Sequence, residues 1–377
     1  MSKFHELIGE LCPDGVEYRK LGDVADIGTG SSNTQDQDPN GIYPFYVRSP
    51  EVKRSNGFEF DETAIVTAGD GEVGKVFHFV EGKYALHQRA YRAKPTNSTL
   101  DAKFLYHYMK ANFRTYVERK ACSATVKSLR KPMFQSFEIP VPPIEVQREI
   151  VRTLDAFTEL ETNLEEELEA RKAQYAYYRD CLLSMENLEA MDGKPVEMRE
   201  LQDLAEIGTG SSNTQDQEPE GIYPFYVRSP EVKRSNSFEY DETAIVTAGD
   251  GDVGKVFHYV EGKYALHQRA YRVRVTDSSL DSKFLFYYMK ANFRSYVERK
   301  ACSATVKSLR KPMFQKFEIP VPSLATQQEV VGILDRFDSL TTSLTDGLPA
   351  EIEVRRRQYE YYRDRLLDFL RKEAAAS

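Results

Sequence analysis

The sequence has few cysteines, and none of them is paired at close spacing. Only Cys12, Cys122, Cys181 and Cys302 occur in 377 residues, and no two form a C-x-x-C motif. This pattern argues against a disulfide framework and against a cysteine-based metal site. It favours a reduced, cytoplasmic protein whose thiols are small buried side chains.

Long apolar segments are also missing. No apolar run approaches the roughly 18 residues that a membrane-spanning helix needs. The first residues, MSKFHELIGELCPDG, contain no apolar core of the kind that a secretory signal requires. We therefore expect neither a membrane span nor secretion.

Catalytic motifs are absent as well. Residues Gly69–Val76 (GDGEVGKV) approach a phosphate-binding P-loop, but valine follows the lysine where the motif needs Ser or Thr to reach Mg²⁺. A tight glycine turn is the simpler interpretation, and its backbone N–H groups with Lys75 could also approach a DNA phosphate. The histidines lack metal-site spacing. A nuclease-like carboxylate pair, Asp14 with Glu17, is not repeated, because Lys194 stands opposite Asp14.

No G-x-S-x-G, no N-P-P-Y or D-P-P-Y tetrapeptide of an amino-methyltransferase and no helicase motif is present either. The sequence thus predicts a chain that is not itself an enzyme and that binds no metal.

The main feature that is present is a long internal repeat. Residues Leu21–Pro140 return without a gap as Leu201–Pro320, at a constant offset of 180 residues. GIYPFYVRSPEVKRSN, for example, stands at Gly41–Asn56 and is identical at Gly221–Asn236. A repeat of this length is a domain and not a solenoid unit. We therefore expect two nearly identical domains with equivalent binding surfaces.

The net charge of −8 conceals two basic regions. Residues Ala102–Lys131 carry eight basic side chains and one acidic one, and Ser282–Lys311 repeat this count. Residues Pro143–Asn187, in contrast, carry eleven acidic and five basic side chains. A polyanion responds to the local charge, so the overall acidity does not exclude nucleic acid as a partner.

A long amphipathic helix is predicted after each copy. Between Ile144 and Asn187 no glycine or proline occurs, and apolar residues recur at steps of three and four, with Glu161 and Arg171 as the two exceptions. The second helix should stop near Gly347 and restart with Pro349 in its first turn. Apolar stripes need a partner, so we expect the two helices to pack together, antiparallel and related by a pseudo-two-fold axis. A helix of some 38 residues spans roughly 55 Å.

The apolar stripe of each predicted helix consists of the following residues. The first contains Ile150, Leu154, Phe157, Leu164, Leu168, Tyr175, Tyr178 and Leu182, and the second contains Val330, Leu334, Phe337, Leu340, Leu344, Ile352, Tyr359, Tyr362, Leu366 and Phe369.

Each domain is predicted to mix strands with one helix, Asp101–Glu118, whose apolar residues Phe104, Leu105, Tyr108, Met109 and Phe113 recur at steps of three and four. Polar residues predict a loop over Asp26–Asn40, further loops are polar and basic, and Met185–Pro195 is the predicted linker into the second copy. Asn and Gln can pair with adenine and Arg with guanine, whereas Lys and Ser suit phosphates. The case for DNA contact rests on the set and its repetition, because each residue alone could equally be a solvated side chain, and His87 and His267 could equally lie in the core. The candidate DNA-binding residues are Ser31, Ser32, Asn33, Gln35, Arg48, Lys53, Arg54, Lys75, His87, Gln88, Arg89, Lys127, Arg130 and Lys131, with Ser211, Ser212, Asn213, Gln215, Arg228, Lys233, Arg234, Lys255, His267, Gln268, Arg269, Lys307, Arg310 and Lys311.

Over essentially its whole length, the chain resembles the specificity subunits of type I restriction-modification systems. The resemblance is carried by CPDGVEYRKLGDV (Cys12–Val24), TAGDGEVGKVFHF (Thr67–Phe79), HQRAYR (His87–Arg92), SATVKSLRK (Ser123–Lys131), EIPVPPIEVQREIVRTLD (Glu138–Asp155) and QYAYYRDCLL (Gln174–Leu183). The exit EIPVPP-x-x-x-Q before a long helix, found twice, is the most specific of these.

The resemblance implies an α+β fold with two target recognition domains, each of which recognises one half of a bipartite target in double-stranded DNA. The boundaries would be 1–142 for the first domain, 143–187 for the first spacer helix, 188–322 for the second domain with 188–200 leading into it, and 323–377 for the second helix. Two methyltransferase subunits and restriction or translocase subunits would be the partners. S-adenosylmethionine, ATP and Mg²⁺ would be bound by those partners and no cofactor by this chain.

One feature departs from the family pattern. Its members commonly carry two different recognition domains, whereas here the two are nearly the same, which predicts a target that is an inverted repeat. The residues also permit a specificity protein of a related system with a fused restriction-methylation partner, or of an orphan methylation complex. A coiled-coil scaffold that binds protein is a further alternative. A free-standing enzyme is disfavoured by the missing motifs.

Overall fold

The computed structural model describes residues 2–120, 129–300, 309–343 and 347–372. The chain divides into two compact units, one formed by Met1–Leu164 with Ile352–Ser377 and the other by Glu165–Glu351. The first unit therefore combines the beginning and the end of the chain. No described helix is long and apolar enough to cross a membrane.

The first copy and its exit contain the following elements in chain order. They are α1 (Ser2–Leu11), β1 (Tyr18–Lys20), α2 (Leu21–Val24), β2 (Ala25–Thr29), a 3₁₀ turn (Thr34–Asp36), β3 (Tyr43–Tyr46), β4 (Lys53–Ser55), β5 (Phe60–Ala68), β6 (Phe77–Leu86), β7 (Ala90–Pro95), α3 (Ala102–Lys120), α4 (Lys131–Gln135), β8 (Glu138–Pro140) and α5 (Ile144–Leu182).

The second copy repeats this order. Its elements are α6 (Met185–Asp192), β9 (Glu197–Glu200), α7 (Leu201–Leu204), β10 (Ala205–Thr209), a 3₁₀ turn (Thr214–Asp216), β11 (Tyr223–Tyr226), β12 (Lys233–Ser235), β13 (Tyr240–Ala248), β14 (Phe257–Leu266), β15 (Ala270–Val275), α8 (Ser282–Lys300), α9 (Lys311–Gln315), β16 (Glu318–Val321), α10 (Leu324–Thr342) and α11 (Leu348–Leu366).

Each copy is built on a mixed six-stranded sheet. The strand order is β2-β7-β5-β6-β3-β4 in the first copy and β10-β15-β13-β14-β11-β12 in the second. The centre is a long antiparallel pair, β5 with β6, whose register runs from Phe60 opposite Tyr84 to Thr67 opposite Phe77. Within the described part of each sheet one strand pair is parallel, β3 with β6 in the first copy and β11 with β14 in the second. A separate two-stranded ribbon, β1 with β8, joins the first and last strands of the copy. The expected α+β class with two repeated mixed domains is confirmed.

One helix lies against each large sheet and fills the core. On α3, Phe104, Leu105, Met109 and Phe113 are fully buried, and Tyr108 is nearly so. These are the residues that the three-and-four spacing predicted to face inward. The equivalent face of α8 is buried in the second copy.

A buried glutamine fixes the exit of each copy. Gln147, the last residue of the EIPVPP-x-x-x-Q motif, has no exposed surface. Its side-chain oxygen accepts from the Asp101 backbone N–H at 2.8 Å, and its amide donates to the carbonyls of Thr99 and Pro142, both at 2.7 Å. A buried amide stabilises only when it is hydrogen-bonded in this way, so the motif ties the start of α5 to the start of α3.

The equivalent glutamine of the second copy repeats this arrangement. Gln327 bonds with Asp281, Ser279 and Pro322 at 2.7 to 2.8 Å. It ties the start of α10 to the start of α8.

In the first unit, the stripe of α5 packs against helix α11. Ile150 and Leu154 are fully buried, and Phe157 stacks on Tyr362 with ring centroids 5.3 Å apart. Glu161, one of the two exceptions in the stripe, accepts from Arg356 at 2.5 Å. The contacts move forward along α5, from Phe157 to Glu161, and backward along α11, from Tyr362 to Arg356, so the two helices are antiparallel here.

In the second unit, the rest of α5 contacts α10. Tyr175 and Tyr178 lie against Phe337, at 6.3 and 5.6 Å between ring centroids. Arg171, the other exception, donates to Gln174 at 2.9 Å and to Glu167 at 3.3 Å on its own helix. Both polar exceptions in the stripe are therefore hydrogen-bonded. Leu344 lies outside the described residues.

Two segments differ from the sequence-based expectation. The sequence predicts one loop over Asp26–Asn40, but its first residues belong to strand β2. This strand pairs with β7 and buries Ile27. The predicted linker after the first helix contains helix α6. Ser184 caps its first turn, and Gly193 ends it with a φ of 69°, so the helix predicted to Asn187 is in fact two helices.

The two described cysteines differ in exposure. Cys12 is buried, and burial raises the pKa of its thiol. Cys181 is exposed on α5, so the expectation of buried thiols is wrong there. Cys122 and Cys302 lie outside the described residues.

The copies differ where α3 and α8 meet the exit helices. In the first copy, buried His107 places its Nε2 2.8 Å from Asp155, which also accepts from Lys103 at 2.8 Å. In the second copy, Tyr287 takes the place of the histidine and donates to Asp335 at 2.6 Å. Burial lowers the pKa of His107 and outweighs the opposite effect of Asp155.

This difference predicts that the first unit is the more acid-sensitive. A histidine whose folded pKa lies below its unfolded value of about 6.5 stabilises the fold above that pH, and this stabilisation is lost as the pH falls below it. We expect α3 to lose more protection than α8 between pH 7.5 and 5.5, in hydrogen exchange corrected for intrinsic rates. The histidines at 78 and 87 recur at 258 and 267, so their effects cancel in this comparison.

The matched variant is His107→Tyr, which installs the residue of the second copy. Its α3 and α8 should respond alike to pH. If the acid sensitivity of α3 persisted unchanged in this variant, His107 would not be its source.

Candidate nucleic-acid interface

Backbone hydrogen bonds bring the loop after β2 against the turn between β6 and β7. Ser32 donates its N–H to Leu86 at 3.2 Å and accepts from the Gln88 N–H at 2.9 Å. Gly30 lies so close to the Leu86 carbonyl that a Cβ there would be 1.8 Å from its oxygen. Only glycine fits this approach, which explains one glycine of the GTGSSN sequence.

The glycine turn after β5 joins the same group of loops. Gly69 donates its N–H to the Arg89 carbonyl at 2.9 Å and accepts from the Leu129 N–H at 2.6 Å. A Cβ on Gly69 would lie 2.6 Å from the Arg89 oxygen. The turn that resembles a P-loop is thus a junction between two basic segments, one at Arg89 and one at Arg130.

The serines of the GTGSSN loop are held by a carboxylate. Glu59 accepts from the N–H and hydroxyl of Ser31, at 2.7 and 3.0 Å, and from those of Ser32, at 3.2 and 2.5 Å. It also accepts from the Leu86 N–H at 3.3 Å. Burial opposes the ionisation of Glu59, but the bonds from Ser32 and Ser31 prevail and lower its pKa. Both hydroxyl protons are therefore directed to Glu59, and the serines fix the loop.

Arg48 and Arg89 share one aspartate. Asp70, in the glycine turn, accepts from Arg48 at 2.6 Å through Oδ1 and from Arg89 at 3.0 Å through Oδ2. The bond from Arg48 outweighs burial and, with Arg89, holds the pKa of Asp70 below its usual range. The two guanidiniums, distant in sequence, thus lie side by side.

His87 completes this group as a neutral ring. It is buried, and its Nδ1 accepts from the Arg89 backbone N–H at 3.0 Å. Burial, together with the charges of Arg48 and Arg89, lowers the pKa of His87. The proton of the neutral ring is therefore on Nε2, which makes that nitrogen a hydrogen-bond donor.

A cleft of about 330 Å³ lies between these loops. It is lined by Thr34, Gln37, Val47, Arg48, Ser49, Lys53, Asp70, Gly71, Glu72 and His87. The second copy has a cleft of about 310 Å³ lined by equivalent residues. There Arg228 and Arg269 donate to Asp250 at 2.7 and 3.1 Å, so the geometry recurs with the sequence.

Two amides stand beside the cleft. Gln88 donates its side-chain amide to the Asn33 side-chain oxygen, and Gln268 does the same to Asn213. Each pair keeps one amide oxygen and further N–H groups for a ligand, which is the combination that an adenine edge requires.

The remaining candidates have local partners or are exposed. Lys53 pairs with Glu51 at 2.6 Å, and Lys75 lies 4.0 Å from Glu72. Arg54, on strand β4, donates to the Gly41 carbonyl at 3.1 Å. Gln35, Arg130 and Lys131, and their counterparts Gln215, Arg310 and Lys311, are exposed. Lys127 and Lys307 lie outside the described residues.

The sequence-based selection missed the two acids that organise the site. Asp70 could have been found, since it stands inside the glycine turn and among basic residues. Glu59 gave no signal, because it lies between Phe58 and Phe60 in a short connection before β5. Across the described ranges, no group of three or more His, Cys, Asp and Glu side chains could hold a metal ion.

Known proteins resemble this chain along most of its length. A putative type I specificity subunit of Mycoplasma pneumoniae is 28% identical over 342 residues, covering 86% of this chain and 99% of that protein. A putative type I restriction enzyme specificity subunit of Haemophilus influenzae is 28% identical over 387 residues, covering 94% and 96%.

A crystal structure of a type I restriction-modification S subunit from M. genitalium shares the fold. Its TM-score is 0.64 at 18% identity, over 94% of this chain and 96% of that one. The family model of the type I restriction modification DNA specificity domain matches twice, at residues 13–170 and 193–354. The chain therefore belongs to the specificity subunits of type I restriction-modification systems.

Proposed function

We propose that each domain binds one half of a bipartite target in double-stranded DNA and that the two halves form an inverted repeat. The observation that carries the proposal is the recurrence of the cleft. Arg48, Asp70 and Arg89 recur at 228, 250 and 269 with bond lengths that agree within 0.1 Å. Surfaces with the same donors in the same geometry select the same bases.

In this proposal the chain is not catalytic. It delivers DNA to two methyltransferase subunits and to restriction or translocase subunits, which carry S-adenosylmethionine, ATP and Mg²⁺. Helices α5, α10 and α11 set the spacing between the half-sites and provide the scaffold for the partners. Helix α5, with 39 residues, is about 58 Å long.

Methylation profiling of DNA modified by the assembled complex tests the symmetry. We expect the same half-site on opposite strands, because the two clefts carry the same donors. A control chain in which residues 201–320 are replaced by the sequence of 21–140 should modify the same motif. A methylated motif with two unrelated half-sites would contradict the proposed inverted repeat.

A second test concerns the loop held by Glu59. The double variant Glu59→Gln with Glu239→Gln should weaken binding to the target about tenfold or more. The reason is that a hydrogen bond to a charged group contributes about 1.5–3 kcal/mol and several are altered in each copy. Titration of labelled target DNA at fixed salt measures the effect.

The control is Glu81→Gln with Glu261→Gln, which makes the same charge change at exposed positions on β6 and β14. General electrostatics would tighten binding in both variants, because each loses two negative charges. If the Glu59 variant bound as well as its control, the loop would have no part in target binding.

A further inference from the structure

An acid between two arginines is unexpected in a surface that binds DNA phosphates. Asp70 has only 21% of its side chain exposed, whereas Arg48 and Arg89 expose 43% and 62% of theirs. Each guanidinium gives one N–H to Asp70, at 2.6 and 3.0 Å, and keeps its other N–H groups. The carboxylate therefore fixes the positions of two donors without consuming them.

The charge around the cleft argues against a phosphate as its ligand. The cations Arg48, Lys53, Lys75 and Arg89 stand beside the anions Glu51, Asp70 and Glu72. The balance is close to neutral, and a phosphate would be repelled by Asp70 at the point where the arginines converge. Asp70 would not repel the neutral edge of a base.

The hydrogen-bonding character of the cleft narrows the choice of base. The two guanidiniums and the Nε2 of His87 are donors, and both oxygens of Asp70 already accept. In the major groove, guanine presents two acceptors, N7 and O6, whereas adenine and cytosine each present an amino donor. The donors of Arg48, Arg89 and His87 therefore match an edge that only accepts, while the carboxylate of Glu72 in the lining lies 4.0 Å from Lys75. Thymine also lacks a donor, but it presents one acceptor, O4, where guanine presents two for the two arginines.

We propose that each cleft recognises a guanine of its half-site through Arg48 and Arg89, or Arg228 and Arg269, and that Asp70 and Asp250 are the residues that position these arginines. The proposal rests on the proposed DNA-binding function and names one base class in the target. Phosphate oxygens also accept hydrogen bonds from arginine, so the experiments must distinguish a guanine from a backbone phosphate as the ligand of the cleft.

Base and backbone analogues in the target separate them with the unaltered chain. Replacing one guanine per half-site by 7-deazaguanine removes N7 and should weaken binding about 5- to 150-fold at one position. Methylphosphonate linkages, which neutralise single phosphates, should not reproduce this effect at that position. Binding is measured by competition against the unmodified target, with the chain in its methyltransferase complex.

The double variant Asp70→Asn with Asp250→Asn tests the positioning role. It should reduce the preference for guanine over other bases at that position by a similar factor, while binding to unrelated DNA is kept or strengthened by the lost negative charge. The matched control is Asp180→Asn with Asp364→Asn. These aspartates also pair with an arginine, at 2.7 Å in each repeat, but lie on α5 and α11 outside the clefts. The control should keep the preference.

The outcomes distinguish this inference from the function on which it rests. If the unaltered chain bound all DNA alike, both would fail. If it bound one sequence tightly but no 7-deazaguanine substitution weakened binding, only the assignment of guanine would fail. If Asp70→Asn with Asp250→Asn tightened binding to target and unrelated DNA equally, the arginines would hold phosphates, and the positioning role would be overturned.

Discussion

A buried amide in each domain ties the exit helix to the helix that packs on the sheet. Gln147 has no exposed surface and makes three hydrogen bonds, to the start of α3 and to the proline-rich exit. Leaving any of these buried groups unpaired costs more than the bond contributes, so the amide permits only one exit geometry. The sheet packs on α3, and α5 begins at the same glutamine. This amide, together with the bonds of Asp155 to Lys103 and His107, therefore holds α5 against α3 and the sheet within the first unit.

Acidic residues organise the surface that is proposed to bind DNA. Glu59 fixes the serine loop, and Asp70 fixes two arginines, so the negative charges act within the site and the donors face outward. A purely basic surface would bind DNA more strongly but with little dependence on sequence. Holding side chains in one geometry lowers the entropy lost on binding and makes wrong bases more costly.

Much of the fold could be predicted because it rests on periodic burial. The stripe on α3 and the residues Ile150, Leu154, Val330 and Leu334 are buried as their spacing predicts. Strand β2 was not predicted because it contains Asp, Gly and Thr and buries few side chains, so its sequence lacks the apolar alternation typical of a strand.

Helix α6 was missed although Ser184 and Gly193 mark its ends, because eight residues show too little periodicity. Tertiary hydrogen bonds such as those of Glu59 and Asp70 join loops far apart in sequence, and no local pattern reports them.

The repeat also separates the parts of a domain that determine binding from those that only need to pack. Around the clefts the copies are nearly the same, and the one change in the lining, Glu72 to Asp252, keeps its carboxylate. At the junction with the exit helix, His107 becomes Tyr287, and both bond to an aspartate through different chemistry. Packing tolerates such exchanges when volume and hydrogen bonds are kept. If the clefts select bases as proposed, a change of donor there would alter the base selected, and the symmetry of the target would depend on a small number of side chains and not on the duplication as a whole.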